Sequence, residues 1–190
     1  RGGRKMIALC VGHSRQGDCG ALSIDGHTTE YEYNCGLAQW ISGKIRKPVR
    51  IYDSYTGNGY TSAMRGLARK LKDDGAELAV ELHFNSASPS ATGHEWLHWH
   101  SSEKGRLLAR ALRDSMEDAF PLFTSRGIKA RGKGSRGAAF LRLTHCPAVI
   151  AEPFFGSNKD DWDIATKHKE GVASAISSGI LLYTELASRW

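Results

Sequence analysis

The chain has 190 residues, of which 41% are hydrophobic and 24% are charged, a composition typical of a folded domain rather than a disordered tail. No stretch approaches the roughly 20 consecutive apolar residues that a membrane-spanning helix needs, so we expect no membrane span. The formal net charge of +6 predicts attraction to an anionic partner, and nucleic acid, anionic lipid and an acidic wall polymer all satisfy this.

The N-terminal residues indicate the expected bounds of the domain, and the cysteines indicate the compartment in which it is made. We interpret residues 1–5 as an expression remnant or disordered leader, and the predicted domain covers residues 6–190. The apolar run after Met6 is too short for a signal peptide and continues as strand-like sequence. The four cysteines lack paired-ligand spacing and are expected to be free thiols, which favours a reducing compartment: Cys10, Cys19, Cys35 and Cys146.

Strand-like and helix-like segments alternate along the chain, which predicts an α/β fold. The predicted strands cover residues 7–13, 48–53, 78–83, 93–99 and 148–152. The predicted helices cover residues 29–44, 59–72, 104–120 and 160–186. Residues 125–137 are basic and rich in glycine, and we predict a loop there.

Three of the predicted strands end in a residue that binds metals or moves protons: His13, His83 and Glu152. Ligands of open α/β sheets bind beyond the carboxyl ends of the strands, so these side chains are expected to meet. Two imidazoles and a carboxylate are typical of a zinc hydrolase. A histidine at a strand end is also a common structural residue, and Glu152 is equally able to pair with an arginine. From these residues alone both interpretations stay open.

The start of the first predicted helix offers a third metal ligand, either Glu30 or Glu32. Thr29 and Glu32 fit an S/T-x-x-E capping box, in which the glutamate folds back onto the helix N-terminus. We therefore assign Glu30 to the metal and keep Glu32 as the alternative. Glu152 then remains as the general base for an amide hydrolase that uses one zinc ion.

These residues resemble the zinc-dependent N-acetylmuramoyl-L-alanine amidases of the amidase-3 type, and the likeness extends over nearly the whole chain. The segments that are similar to the family are Val11-Gly12-His13, Glu30-x-Glu32-x-Asn34, Glu81-Leu82-His83-Phe84-Asn85-Ser86, Gly93-His94-Glu95, Arg126-Gly127-Ile128-Lys129, Leu141-Arg142, Pro147-Ala148-Val149-Ile150-Ala151-Glu152 and Phe155-Gly156-Ser157-Asn158. The chain departs from the family at Glu81, where a small serine is usual, and in the order of residues 153–156.

The resemblance implies a single domain with a twisted, mostly parallel sheet of about six strands and helices on both faces. It implies hydrolysis of the amide between N-acetylmuramic acid and L-alanine in peptidoglycan, and it supports Glu30 as the zinc ligand beside His13 and His83. A compact catalytic domain without an export signal resembles a bacteriolytic phage endolysin. Such a protein is made in the host cytoplasm and acts on the cell wall from the periplasmic side.

Four further residues are predicted to contact the substrate: Asn85, Trp96, Arg126 and Lys129. Trp96 lies on an alternating strand, where its ring is expected to stack on a sugar, although an ordinary amphipathic edge strand is the alternative. The cations of the basic loop are expected to attract anionic peptide stems, with a solvated loop as the alternative. Asn85 and Asp18 are also candidates to hydrogen-bond the metal-binding imidazoles.

Two other functional hypotheses remain at this point. One is a different zinc peptidase, such as a carboxypeptidase that acts on wall peptides. The other is a non-catalytic module that binds nucleic acid through its basic loop, with steep salt dependence. We prefer peptidoglycan as the partner, expect no nucleic acid, and expect a monomer, although the sequence does not fix the oligomeric state.

Overall fold

The computed structural model describes residues 5–14 and 17–189, so residues 1–4 of the predicted leader lie outside the described residues. Within the described ranges the strands are β1 (Met6–Val11), β2 (Val49–Tyr52), β3 (Ala76–Leu82), β4 (His94–Trp99), β5 (Ser125–Arg131) and β6 (Ala148–Glu152). They form one six-stranded sheet in the order β2-β1-β3-β6-β4-β5. Only the β4–β6 pair among them is antiparallel, which confirms the predicted mostly parallel α/β sheet.

Helices cover both faces of the sheet. They are α1 (Glu30–Lys44), α2 (Tyr60–Asp73), α3 (Glu103–Ala119), α4 (Ala138–Leu143), α5 (Lys159–Lys167) and α6 (Lys169–Ala187). Ile7 and Leu9 of β1 join the apolar cluster under α1, α3 and α6, whereas Ala8 and Cys10 join the cluster under α2 and α4. Successive strand residues point to opposite faces, so burial of both faces accounts for the continuous apolar runs.

The structure corrects two of the predicted elements. Residues 125–137 are not a single loop, because β5 occupies their first half and α4 follows directly. This edge strand is largely polar and partly exposed, so it lacks the apolar run that marks the central strands. The helix predicted over residues 160–186 is two helices that meet at His168, whose non-helical backbone separates α5 from α6.

Because of the strand directions, the ends of five strands and the side chains near them lie at one edge of the sheet. The carboxyl ends of β1, β3 and β6 lie together, and β4 and β5 begin at that edge because they run the opposite way. Glu95 near the start of β4 is therefore paired with Glu152 at the end of β6. No helix in the described ranges is both long enough and apolar enough to cross a bilayer.

Candidate metal centre

His13, Glu30 and His83 converge at the carboxyl edge of the sheet. One ligand atom from each of the three side chains lies within 4.8 Å of the others. Glu30 lies between the rings, with Oε2 3.2 Å from His13 Nε2 and Oε1 2.8 Å from His83 Nδ1. The carboxylate of Glu30 is buried, whereas both imidazoles are partly exposed. The three donor groups thus face one another, and solvent still reaches part of both imidazole rings.

The donor set fits a zinc ion. Two imidazoles and one carboxylate with an open fourth position are a common ligand set of catalytic zinc. Tetrahedral bonds of about 2.0–2.1 Å place neighbouring ligand atoms about 3.3 Å apart, and the three candidate ligand atoms lie within 4.8 Å of one another, in the range that small side-chain adjustments can bring to that spacing. Burial would raise the pKa of Glu30, but hydrogen bonds from His13 and His83 outweigh it and lower that pKa to about 2. Glu30 is therefore ionised at neutral pH, as a metal ligand must be.

The start of α1 explains why Glu30 rather than Glu32 faces this centre. Thr29 is the N-cap, its Oγ1 accepts the Glu32 backbone N–H at 3.3 Å, and Glu32 Oε2 accepts the Thr29 N–H at 3.1 Å. The predicted capping box is confirmed, and it occupies the Glu32 side chain. Glu30 is held by backbone N–H groups as well, which Ala21 donates to Oε2 and Phe84 to Oε1, each at 3.1 Å.

His13 is held by an unusual backbone conformation and by an outer carboxylate. Its φ of 67° lies in the left-handed region, which residues other than glycine seldom adopt. Asp18 Oδ1 lies 3.1 Å from His13 Nδ1, so the opposite ring nitrogen faces Glu30. Asp18 is thus the imidazole partner that the sequence suggested, whereas the Asn85 amide contacts Glu95 at 3.2 Å instead of a histidine.

Two glycines, Gly12 and Gly20, make room for the candidate ligands, a role that their positions in the sequence do not predict. A Cβ on Gly12 would lie 2.5 Å from His83 Nε2 and 2.6 Å from His83 Nδ1, well below van der Waals contact distance. Gly20 has a φ of 77°, and a Cβ there would lie 2.6 Å from His13 Cδ2. Glycine immediately before a candidate ligand histidine was the available signal, but only the fold shows which ring it accommodates.

Gly12→Ala is expected to displace the His83 ring and to weaken zinc binding by about 10–100-fold, the size of effect typical when the orientation of a ligand is disturbed. The measurement is a zinc titration. Gly43→Ala is the matched control, since a Cβ on Gly43 meets no atom within 4 Å. If Gly12→Ala bound zinc as tightly as the wild type, the His83 ring would be able to accommodate a Cβ at residue 12, and the proposed steric role of Gly12 would be wrong.

Glu152 ends β6 next to this centre and has the properties of a proton acceptor. Burial raises its pKa to about 7, the nearby His83 ring opposes the rise, and the Glu95 and Glu30 carboxylates add to it. A carboxyl group with a pKa near the working pH both accepts and returns a proton readily. The structure therefore places a suitable base beside the three candidate ligands.

Glu95 lies across from Glu152 and holds the side chains that form the rim of the site, Asn85 and Arg126, a role that its position in the sequence does not predict. It is buried opposite Glu152, and Arg126 Nε donates to its Oε2 at 2.8 Å. Asn85 donates to Oε1, and the Arg126 guanidinium also lies 5.0 Å from the centre of the Phe155 ring. The hydrogen bonds to Glu95 come from β5 and from the segment that follows β3, so spacing along the sequence does not reveal them.

Two of the predicted substrate contacts lie away from this rim. Trp96 is 0% exposed, and its Nε1 donates to His94 Nδ1 at 2.9 Å within the core. The prediction that Trp96 stacks on a sugar is therefore wrong, because its face of β4 is covered instead of open. Lys129 is half-buried on β5, three residues beyond Arg126 and so farther from the sheet edge.

Comparison with known proteins identifies the family of this fold. The profile of the Amidase_3 family, described as N-acetylmuramoyl-L-alanine amidase, matches residues 7–181. An endolysin of Bacillus phage SPP1 is 28% identical over 120 residues, which are 58% of this chain but only 44% of that protein's length. The CwlD amidase from Clostridioides difficile, solved with the GerS lipoprotein, superposes with a TM-score of 0.83 at 21% identity and covers 96% of this chain and 99% of its own. The catalytic domain of CD27L, an endolysin targeting Clostridia difficile, has a TM-score of 0.75 at 28% identity, covering 93% of this chain and 97% of its own.

Proposed function

The chain belongs to the Amidase_3 family, and from this membership we propose that it is a zinc-dependent N-acetylmuramoyl-L-alanine amidase that cleaves peptidoglycan. The observation that best supports the zinc dependence is the convergence of His13, Glu30 and His83 within 4.8 Å at the sheet edge. Glu152 lies at the same edge with a raised pKa, where an amide hydrolase needs a base.

Each residue of the centre has a distinct part in this proposal. His13, Glu30 and His83 hold the ion, and Gly12 and Gly20 leave the space for their side chains. A bound zinc ion supplies a Lewis acid that polarises a carbonyl group and lowers the pKa of water. Glu30 is ionised and buried, so its negative charge favours a cation at this point.

Glu152 moves the proton in the proposed reaction. It accepts a proton as water attacks the carbonyl carbon of the lactyl group. It then returns that proton to the L-alanine nitrogen as the C–N bond breaks, so that a carboxylic acid and a free amine result. Burial raises the pKa of Glu152 and a bound cation would lower it again, so Glu152 is ionised and able to accept a proton at neutral pH while remaining a stronger base than an exposed carboxylate.

The rim beside Glu152 offers the proposed contacts for the peptide stem. Arg126 is exposed and oriented by Glu95, and Asn85 is fixed by the same carboxylate. A guanidinium group forms strong, directional hydrogen bonds with carboxylates, which wall peptides carry at their free acid groups. Lys129 adds positive charge farther along β5, and the net charge of +6 acts in the same direction.

A role in lysis of a host cell by a phage is the most specific part of the proposal. It is supported by the sequence similarity to the SPP1 endolysin and to the CD27L catalytic domain. In this role the protein is made in the host cytoplasm and degrades the wall from within. Added from outside, it would be antibacterial against cells with an accessible wall.

Product analysis of digested peptidoglycan tests the bond that is cleaved. We expect intact stem peptides with new L-alanine amino ends, in amounts equal to the lactyl carboxyl groups set free on the glycan. Release of single D-alanines would instead indicate a carboxypeptidase. Undigested wall together with salt-sensitive binding of DNA or RNA would favour the nucleic-acid module.

A further inference from the structure

A second carboxylate, Glu81, lies against the His83 ring on the side away from Glu30. Its Oε2 is 3.3 Å from His83 Nε2, whereas Glu30 Oε1 is 2.8 Å from His83 Nδ1. The two nitrogens of one imidazole are therefore each opposed by a carboxylate. Nδ1 is the nitrogen that faces Glu30, which also contacts His13, and Nε2 is the nitrogen that faces Glu81.

The surroundings of Glu81 make it an unusual place for a charge. The residue is 2% exposed on the central strand β3, flanked by Cys10 of β1 and Ile150 of β6. Its other oxygen, Oε1, lies 3.4 Å from the Tyr55 hydroxyl oxygen, but that hydroxyl donates its proton to the Val11 carbonyl at 2.7 Å. A carboxylate buried this deeply is costly unless a positive group compensates it.

The group in contact with Glu81 is the His83 ring, a neutral ligand through which a bound zinc ion would compensate the buried charge. We propose that Glu81 is a positioning residue, which accepts the Nε2 proton of His83 and thereby turns Nδ1 toward the metal. Carboxylates that hold a metal-binding histidine in this way fix its tautomer and make it a stronger ligand. The proposal rests on the zinc centre of the proposed function, and it adds Glu81 to the residues that determine its affinity.

The other candidate ligand provides an internal comparison. His13 has its outer nitrogen 3.1 Å from Asp18, whose side chain is 74% exposed. Solvent screens an exposed carboxylate, so Asp18 should influence its histidine less than the buried Glu81 influences His83. The structure thus predicts unequal effects from two chemically similar contacts.

Zinc affinity, measured by competition with a chromophoric chelator, tests the proposal without relying on activity. We expect Glu81→Leu to weaken zinc binding by about 10–100-fold, Glu81→Gln to weaken it less, and Asp18→Asn to weaken it least. Glu77→Gln is the matched control, since it removes a carboxylate from the same strand four residues away and should leave the affinity unchanged. The ¹⁵N shifts of the His83 ring should show a protonated Nε2 in the zinc-loaded wild type and a changed ring environment in Glu81→Leu.

The outcomes separate this proposal from the proposed function. Zinc binding by both Glu81 variants within twofold of the wild type would overturn the role of Glu81 while leaving the metal centre intact. A wild type that binds no zinc would overturn the metal centre itself. A large loss of thermal stability in both zinc-free variants would assign Glu81 to folding, whereas melting temperatures close to the wild type support a positioning role.

Discussion

Glu152→Gln is expected to lose nearly all peptidoglycan hydrolysis while it still binds zinc. Glutamine has almost the same shape but accepts no proton, and positioned acid–base groups contribute about 10²–10⁴-fold to the rate. Glu152 lies outside the group of convergent ligand atoms, so the affinity for zinc should stay within a few-fold of the wild type. The measurement is the turbidity of exposed cell walls, with the appearance of L-alanine amino ends as the direct readout.

The dependence on pH provides a second readout of the same residue. Glu152 must be ionised to act as a base, and burial raises its pKa to about 7. Since a bound cation lowers that pKa, kcat/KM of the loaded enzyme should rise with pH along a limb that lies below pH 7. This limb should be missing from the residual activity of Glu152→Gln and kept in Glu185→Gln, which changes an exposed residue of α6. Full activity in Glu152→Gln would remove the residue from the mechanism.

The sequence predicts the central strands well because both of their faces are buried. Burial on two sides favours apolar runs, which mark β1 and β6 clearly and mark β3 through residues 78–80, between Glu77 and Glu81. The edge strand β5 has mostly polar, partly exposed residues, so its pattern is that of a loop. The residues of β4 likewise do not reveal that it runs antiparallel to β6, because the direction of a strand depends on how it pairs with its neighbour.

The metal centre was predictable where local rules decide the position of a side chain. Strand ends indicate His13, His83 and Glu152, and the capping box separates Glu30 from Glu32. Contacts between strands were not predictable, which is why Glu95 gained its role only from the fold. Glu81 lies two residues before His83, so strand alternation puts both side chains on one face, but only the fold shows that Glu81 is buried and which ring nitrogen it faces. Alternation in β4 places Trp96 on one face, but only the packing of the chain shows that this face is covered.

Glu30→Gln and Glu32→Gln make the same chemical change two residues apart and are expected to have opposite outcomes. Glu30→Gln replaces the buried carboxylate between two imidazoles with a neutral amide, which binds zinc poorly. Lysis should fall by at least about 10²-fold, because a Lewis acid contributes several kcal/mol and about 1.4 kcal/mol corresponds to tenfold in rate. Glu32→Gln should keep both zinc and lysis, since glutamine also closes a capping box.

Chelation and zinc replacement complete this comparison. The chelated wild type should match Glu30→Gln in activity and recover when stoichiometric zinc is added, whereas Glu30→Gln should not recover under the same conditions. Zinc content per chain, measured by elemental analysis after dialysis, separates loss of the ion from loss of folding. If Glu32→Gln lost zinc while Glu30→Gln retained it, the ligand would be Glu32 and the capping argument would be wrong. Chelation removes the ion from the His13–Glu30–His83 group. If lysis were unchanged after chelation, hydrolysis would not depend on a metal and the proposed role of this group would be wrong.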